Sequence, residues 1–417
     1  MTEHSARRAL AMLAFGIFLP PRYAQGEREP FWTPERDAGV WYRRLDGDEM
    51  FIPDVHMGVP WFSVGDTPPL FYFWERGVRL VFEREGPRVF VSCDGAPPAL
   101  AGVVFNAPGG SQALREALER GASGFILWVP GNAIGELPDL PPEARIAISV
   151  RDESDRQLEA LGRLRHAHAL RVRIGSRPCD LRPLVPLTRL VSLDLSGCVE
   201  LADLGPLRAM PELRSLSLWG CKKVTDLTPL AGLRRMERLL LTGCTAVSDL
   251  APLAGMEDLV FLRLSYCGRI TDLRPLAKLT KLRALYLDQC TEVADLTPLS
   301  DLTHLVFLQL QACRRVTDLS PLGRMARLKY LGLYGCEGLR DIAPLASLRA
   351  LESLTLNGCE AIKDLGHLAH LPRLRRIDLV RCDGIKDLSP LRAAAQRGAD
   401  IFVDPALEAQ LKRLRQP

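Results

Sequence analysis

The amino-acid sequence predicts an α/β solenoid of about ten stacked units, preceded by a separate N-terminal α+β or α/β domain. Three observations predict this fold: an internal repeat of constant period, an alternation of period two in the first half of each repeat, and a turn-and-helix signal in the second half. A chain of 417 residues is too long for one ordinary core, and the repeat accounts for more than half of it.

The repeat is most visible around its cysteine. The segment LVSLDLSGC at 190–198 returns as LRSLSLWGC at 213–221 and as LESLTLNGC at 351–359. The constant interval indicates a fixed position in a repeating unit and not a disulfide framework. The nine cysteines of the repeat are Cys198, Cys221, Cys244, Cys267, Cys290, Cys313, Cys336, Cys359 and Cys382.

Each repeat has two halves with different periodicities. Leu193 and Leu195 alternate with polar residues, which is typical of a short strand with one buried face. In the second half, Pro229 fits the first position of a short helix, and Thr228 before it fits an N-cap. Stacked units of this kind place parallel strands on the concave side and the helical turns on the convex side.

The pattern Leu-x-x-Leu-x-Leu-x-x-Asn/Cys, present nine times from Leu190 to Cys382, resembles the leucine-rich-repeat family. The return halves look like bacterial internalin-type repeats, and the cysteine is similar to that of F-box adaptor repeats. The resemblance covers about residues 167–403 and implies a protein-binding solenoid without catalytic activity. Residues 1–165 contain no recognisable F-box, so a role in ubiquitin transfer is not implied.

The array is predicted to span residues 166–403. A tenth, degenerate unit begins it, with Leu170, Val172 and Ile174 on its strand. A strand at 401–403 is predicted to end it, and a capping helix at 406–415 fills the C-terminal segment 404–417. Terminal repeats of solenoids depart from the consensus in this way.

The N-terminal domain is predicted to span residues 27–165 and resembles no family. Its first part is β-rich, with a hairpin formed by 78–83 and 88–93. Its second part alternates strands and helices, and strand spacings close to the length of one repeat predict that it continues the parallel sheet as an N-terminal cap. The predicted elements of that part are 103–105, 112–120, 125–129, 146–150 and 154–164.

Residues 1–26 are predicted to form an N-terminal helix, or a segment that looks like a signal peptide. Arg7 and Arg8 precede the apolar run 9–19, but Arg22 occupies a position where cleavage after Ala24 would require a small residue. We expect a cytoplasmic protein, with export through residues 1–24 as the alternative. This apolar run is too short to cross a membrane as a helix.

Two columns of repeated polar residues are interpreted as structural. The buried cysteine thiols replace an asparagine ladder and favour a reducing compartment. The aspartates that open every return turn accept backbone hydrogen bonds, which argues against a calcium site. No cofactor and no metal are expected. The aspartates are residues 180, 203, 226, 249, 272, 295, 318, 341, 364 and 387.

The predicted binding site lies on the three outward positions of each strand segment and on the position before each cysteine, which are free to vary, and all seven aromatic residues of the nine regular repeats fall there. Polar and charged residues interleave with them, and such amphipathic surfaces bind protein or peptide partners. The predicted contact residues are Trp219, Arg238, Phe261, Arg263, Tyr266, Tyr286, Asp288, Phe307, Gln309, Tyr330 and Tyr334, with Gln311 beside them.

Three alternatives remain open at this point, and one of them is an exported surface or effector protein that uses the same concave face. The N-terminal domain could carry an enzymatic or effector activity, with the Gly109–Ser111 loop as a weak anion-site candidate and the repeats selecting the substrate. The aromatic patch could instead cover a terminal segment of the same chain. A formal net charge of +4 without a polybasic block argues against nucleic acid, and we expect a monomer.

Overall fold

A computed structural model describes the repeats without a gap and separate elements before them. The chain divides into two compact units, residues 1–198 with 209–217 and residues 199–208 with 218–417. The residues described are 39–43, 49–53, 71–75, 78–85, 88–93, 99–104, 110–119, 126–130, 145–151, 165, 167–173 and 179–416. The predicted segment 1–26 and the predicted helix 154–164 lie outside these ranges.

The first unit begins with antiparallel strands. β1 pairs with both β2 and β3, and β3 to β6 then pair in succession. The predicted hairpin is confirmed, because β4 and β5 pair antiparallel on either side of residues 86 and 87. The strands are β1 (Gly39–Arg43), β2 (Glu49–Pro53), β3 (Phe71–Glu75), β4 (Val78–Glu85), β5 (Arg88–Cys93) and β6 (Ala99–Val104).

From β6 onward the strands of the first unit are parallel. β6 starts before its predicted position, because its first residues pair with β5 before the strand pairs with β7. β9 pairs parallel with β10, and Leu170 lies opposite Leu193, as expected of a degenerate first repeat. The remaining elements are α1 (Gly110–Glu119), β7 (Ile126–Pro130), β8 (Arg145–Arg151), β9 (Ala167–Arg173), β10 (Ser192–Asp194) and β11 (Ser215–Ser217).

The second unit contains eight described strands, which pair in chain order as a parallel ladder. Equivalent residues of neighbouring repeats stand opposite each other, as Leu285, Leu308 and Leu331 do. The strands are β12 (Arg238–Leu240), β13 (Phe261–Arg263), β14 (Ala284–Tyr286), β15 (Phe307–Gln309), β16 (Tyr330–Gly332), β17 (Ser353–Thr355), β18 (Arg376–Asp378) and β19 (Asp400–Phe402).

The return segments form short 3-10 helices, close to the one or two helical turns predicted. Such helices are too short to be stable alone and depend on packing against the neighbouring repeats. Their bounds are Arg182–Leu184, Gly205–Ala209, Thr228–Leu230, Ala251–Leu253, Arg274–Leu276, Thr297–Leu299, Ser320–Arg324, Ala343–Ser347, Gly366–Leu368 and Ser389–Leu391.

The predicted N-cap at Thr228 is wrong. Thr228 is already the first residue of the 3-10 helix, and Leu227 precedes the helix without a side-chain cap. The cap comes from Asp226, whose carboxylate accepts a hydrogen bond from the Thr228 amide at 2.8 Å. The reason is the tightness of the turn, in which the Leu230 amide already bonds to the Leu227 carbonyl at 2.8 Å.

The core lies between the strands and the return segments and consists mainly of leucine. Strand residues such as Leu308 and Leu310 and return-segment residues such as Leu299 and Leu322 are fully buried. Burying a leucine side chain stabilises the fold by about 2 kcal/mol. The leucines are therefore fixed by the fold.

The C-terminal end of the second unit is closed by α2 (Arg392–Gln396), β19 and α3 (Pro405–Leu414). The predicted last strand and closing helix are both confirmed with a shift of one position. Asp404 and Gln410 accept hydrogen bonds from the amides of Arg381 and Leu388 at 2.8 and 2.6 Å. These contacts attach α3 to the last repeat. None of the described helices is long and apolar enough to cross a membrane.

Candidate partner-binding surface

The strand face of the second unit is formed by the outward side chains of β12 to β18 and by the turns that follow these strands. The parallel register aligns its side chains in columns, such as Phe261, Ala284, Phe307 and Tyr330. Ten of the eleven predicted contact residues lie on this face or on its turns, and Trp219 lies in the turn that follows β11. The strands and the turns differ in their exposure to solvent.

Four aromatic rings from β13 to β16 form a continuous aromatic row. Successive ring centroids in the order Phe261, Tyr286, Phe307 and Tyr330 are 5.4, 4.6 and 6.1 Å apart. Tyr286 belongs to the neighbouring column, yet its ring stands between those of Phe261 and Phe307. The small residue Ala284, which occupies the intervening position, leaves room for it. Tilted rings at these distances stabilise each other beyond simple burial.

Two arginines stack on the aromatic row. The Arg263 guanidinium carbon lies 4.4 Å from the Tyr286 ring centroid, and that of Arg238 lies 5.6 Å from the Phe261 ring centroid. Both distances are within the range of cation–π attraction. The predicted alternation of aromatic and cationic residues therefore consists of direct contacts between them.

The predicted patch separates into a buried and a more exposed band. Phe261, Tyr286 and Phe307 are only 1%, 5% and 9% exposed, whereas Tyr266 and Tyr334 are 57% and 37% exposed. Trp219 and Tyr330 are half-buried. Buried rings make the face rigid, and the exposed tyrosines are the aromatic groups that a partner can reach. The more exposed band, which we call the turn edge, comprises Trp219, Tyr266, Asp288, Gln289, Gln311 and Tyr334.

Tyr266 occupies a backbone position that normally requires glycine. Its φ is 64°, and the corresponding residue has a positive φ in every regular repeat. A left-handed conformation costs a non-glycine residue about 1 kcal/mol. Sequence reasoning treated this position as freely variable, although the change from glycine was visible. Glycine stands there in five repeats (Gly197, Gly220, Gly243, Gly335, Gly358) and other residues in four (Tyr266, Gln289, Ala312, Arg381).

Gln309 lies flat across the next strand. A methyl group added at Gly332 would overlap with the Gln309 side-chain amide, so the glycine provides the space for this side chain. Gln309 Oε1 is buried and accepts no hydrogen bond from the described residues. A buried oxygen without a hydrogen bond destabilises the fold, and a hydrogen-bond donor removes this cost.

Asp288 is the acidic member of the turn edge. The Ser265 hydroxyl donates a hydrogen bond of 2.7 Å to Asp288 Oδ2. Burial raises the pKa of this carboxyl group above its ordinary value, and the Ser265 hydrogen bond and the positive charge of Arg263 oppose the increase. The carboxylate is therefore held on the face in an environment that penalises its charge.

The cysteine column is structural, as predicted. The thiol of Cys290 donates to the carbonyl of Leu264 in the preceding repeat at 3.2 Å, and the thiols of Cys244, Cys267 and Cys313 make equivalent bonds at 3.1 Å. Burial raises the pKa of Cys267 to about 12. A neutral, buried thiol of this kind is a poor nucleophile.

The aspartate column closes the return turns, also as predicted. In all ten repeats the carboxylate accepts a hydrogen bond from the amide two positions later, at 2.7 to 2.9 Å. Among the described residues, no group of three His, Cys, Asp or Glu side chains is arranged to hold a metal ion.

Replacing Asp226 by alanine is expected to lower the thermal midpoint by a few degrees, because the Thr228 amide loses its acceptor. Asp226→Asn keeps an acceptor and should retain most of the stability. Hydrogen bonds from Thr228 lower the pKa of Asp226 below its ordinary 3.8, so its contribution is present above that pH and is lost as the pH falls through the lowered pKa. Thermal melts of the three proteins at pH 7 and pH 3 measure both effects. Equal midpoints at pH 7 would contradict the assignment.

Comparison with known proteins agrees with this architecture. The model of the family "Leucine Rich repeats (2 copies)" matches residues 188–232. An internalin of Listeria monocytogenes (inlF) is 27% identical with a TM-score of 0.52, covering 63% of this chain and 73% of its own.

Two further internalin structures from that organism are similar to parts of the chain. Internalin C2 is 26% identical with a TM-score of 0.38, covering 52% of this chain and 81% of its own. The functional domain of InlJ, described as including a cysteine ladder, is 17% identical with a TM-score of 0.43. The match covers 62% of this chain and 57% of the InlJ chain. No curated protein sequence matches the chain significantly.

The inlF likeness supports, in general terms, the role of a protein-interaction module. The family match, the parallel strands and the short 3-10 returns agree with one another. The chain contains leucine-rich repeats and is similar in its fold to a bacterial internalin.

Proposed function

We propose that this chain binds a protein or peptide partner on its strand face, with the turn edge as the contact surface and the aromatic row as its rigid base. The observation that carries the proposal is the pair of exposed tyrosines, Tyr266 and Tyr334, beside a row of buried rings. Tyrosine is enriched among the residues that dominate binding energy, since it combines a large apolar area with a polar tip.

The backbone of Tyr266 supports the same proposal. Glycine would remove the strain at this position, as it does in five other repeats. Strained residues persist mainly where the surrounding structure holds them for a functional reason. An exposed aromatic ring at such a position adds nothing to the core, so we attribute it to binding.

Rigidity of the base favours binding. A partner that docks on preorganised side chains loses less conformational entropy than one that must order them. We further propose that the protein acts in the cytoplasm, because the ten cysteines of the described residues are free thiols and a reducing compartment preserves them.

Photocrosslinking in the cells that naturally contain the protein tests the binding proposal. A photoreactive phenylalanine analogue is placed at position 266 or 334, and as a matched control at Arg327, which is exposed on the loop that enters β16. We expect one discrete protein adduct from positions 266 and 334 and none from position 327. The same adduct from all three positions, or no adduct from any, would overturn the proposal.

The contribution of the two rings is measured on the identified partner. The double variant Tyr266→Ala/Tyr334→Ala should bind at least tenfold more weakly, because contact residues of this type contribute on the order of 1–2 kcal/mol each. Phe402→Ala removes another exposed ring of the second unit, in β19, and should leave the affinity unchanged. An unchanged affinity of the double variant would contradict the role of the turn edge.

A further inference from the structure

We infer that Asp288 is the anchor for a cationic side chain of the partner, a lysine or an arginine, flanked by the contacts of Tyr266 and Tyr334. The inference rests on the proposed function and names the chemistry that the turn edge selects. It follows from the position of the carboxylate, from the charges around it and from its hydrogen bonds.

The position of Asp288 is central. Its carbonyl accepts a hydrogen bond from the Tyr266 amide at 2.7 Å, so the two residues lie in adjacent repeats. Tyr334 lies two repeats further along the stack. With about 4.8 Å between neighbouring strands, the two tyrosines are separated by about 14 Å along the stack. An extended peptide of about five residues covers this distance and places a central side chain near Asp288.

The charge of Asp288 is isolated on the turn edge. Asp288 occupies the second position before the cysteine, and in the first eight regular repeats it is the single charged residue at this position or the next one. The neighbouring repeats contribute Ser265 and Gln311 at the same position. A partner therefore meets one negative charge in an uncharged, partly aromatic strip.

The described residues hold no ion-pair partner for Asp288 within 4.0 Å. Arg263 attracts the carboxylate, but its guanidinium stacks on Tyr286. A carboxylate that is partly removed from water and forms no direct ion pair is unfavourable, and a cationic group of a partner reduces this penalty. The exposed Tyr266 ring in the adjacent repeat adds cation–π attraction for the same group.

Comparison with another aspartate of the strand face supports a role beyond folding. Asp378 in β18 closes its own turn by accepting a hydrogen bond from the Val380 amide at 3.2 Å. The Asp288 carboxylate instead accepts hydrogen bonds from the Ser265 hydroxyl of the preceding repeat, from the Gln311 amide of the following repeat and from its own amide. Asparagine at position 288 can accept the bond from Ser265, so Asp288→Asn removes the charge and preserves the fold.

The test uses a displayed library of short random linear peptides, selected on the full chain, on Asp288→Asn and on the matched control Asp378→Asn. Peptides selected on the unaltered chain and on the control should share one enriched lysine or arginine. Selection on Asp288→Asn should lose this enrichment. A selected peptide should bind Asp288→Asn at least tenfold more weakly by fluorescence anisotropy, and its Lys→Ala or Arg→Ala analogue should bind both proteins equally.

The outcomes separate the two proposals. Peptides that require Tyr266 and Tyr334 but show no basic enrichment, or an Asp288→Asn affinity within twofold of the unaltered chain, would overturn the cationic anchor and leave the binding surface intact. Peptides that bind independently of both tyrosines, or no selected peptides at all, would count against the proposed function and against the anchor with it. Thermal melts confirm that each variant is folded.

Discussion

Replacing Leu308 by alanine is expected to lower the free energy of unfolding by about 3–5 kcal/mol, because truncating a buried leucine removes its transfer free energy and leaves a cavity. Leu308 is 0% exposed in β15, and Leu285 and Leu331 stand beside it in the neighbouring strands. The adjacent repeats are fixed by the parallel ladder and cannot move inward to fill the cavity. Urea unfolding followed by circular dichroism measures the loss.

The matched control for this prediction is Leu240→Ala. Leu240 is also a strand residue, in β12, but it points outward and is half-buried. Its truncation should cost about 1 kcal/mol or less. Similar losses for the two variants would mean that the leucine column does not form the main core of the second unit.

Replacing Phe307 by alanine is expected to cost about 3 kcal/mol, although Phe307 lies on the strand face. Its ring is 9% exposed and lies 4.6 Å from Tyr286 and 6.1 Å from Tyr330, measured between centroids. Removing it takes away both ring contacts and opens a gap in the aromatic row. Equilibrium unfolding in urea should show a lower midpoint with little change in slope.

Two further variants place this result in context. Phe307→Leu fills most of the gap and should cost less than about 1.5 kcal/mol. Tyr334→Ala removes an exposed ring and should change the stability by less than about 0.5 kcal/mol. If Phe307→Ala leaves the stability unchanged, the aromatic row is not a structural base, and its rings act only in contact with a partner.

The sequence predicts the architecture of the repeats closely, because the same residue pattern occurs in each of them. The buried leucines, the cysteines and the turn aspartates are confirmed, and the predicted last strand and closing helix are displaced by a single position. The cap at Thr228 was predicted wrongly. Proline at the next position fits a helix start, but the tight 3-10 turn assigns the capping role to Asp226.

The strand face is predictable in its membership but not in its exposure. Alternation along the strand indicates that Phe261 and Tyr286 point outward, yet both are buried. The two rings lie in neighbouring repeats and pack against each other, with their centroids 5.4 Å apart. The neighbours of each ring come from residues one full repeat away in the sequence, so the pattern within a single repeat does not predict whether the ring is buried.

The thiol bonds have a consequence for how such a surface changes during evolution. Seven successive cysteines from Cys244 to Cys382 each donate a hydrogen bond to a leucine carbonyl of the preceding repeat, for example Cys290 to Leu264, so these repeats share the same contact with their neighbours. A duplication or deletion of one whole repeat therefore restores the same contact and preserves the fold. Such an event lengthens or shortens the distance between Tyr266 and Tyr334 in steps of about 4.8 Å, and the spacing of the contacts can change without any point mutation.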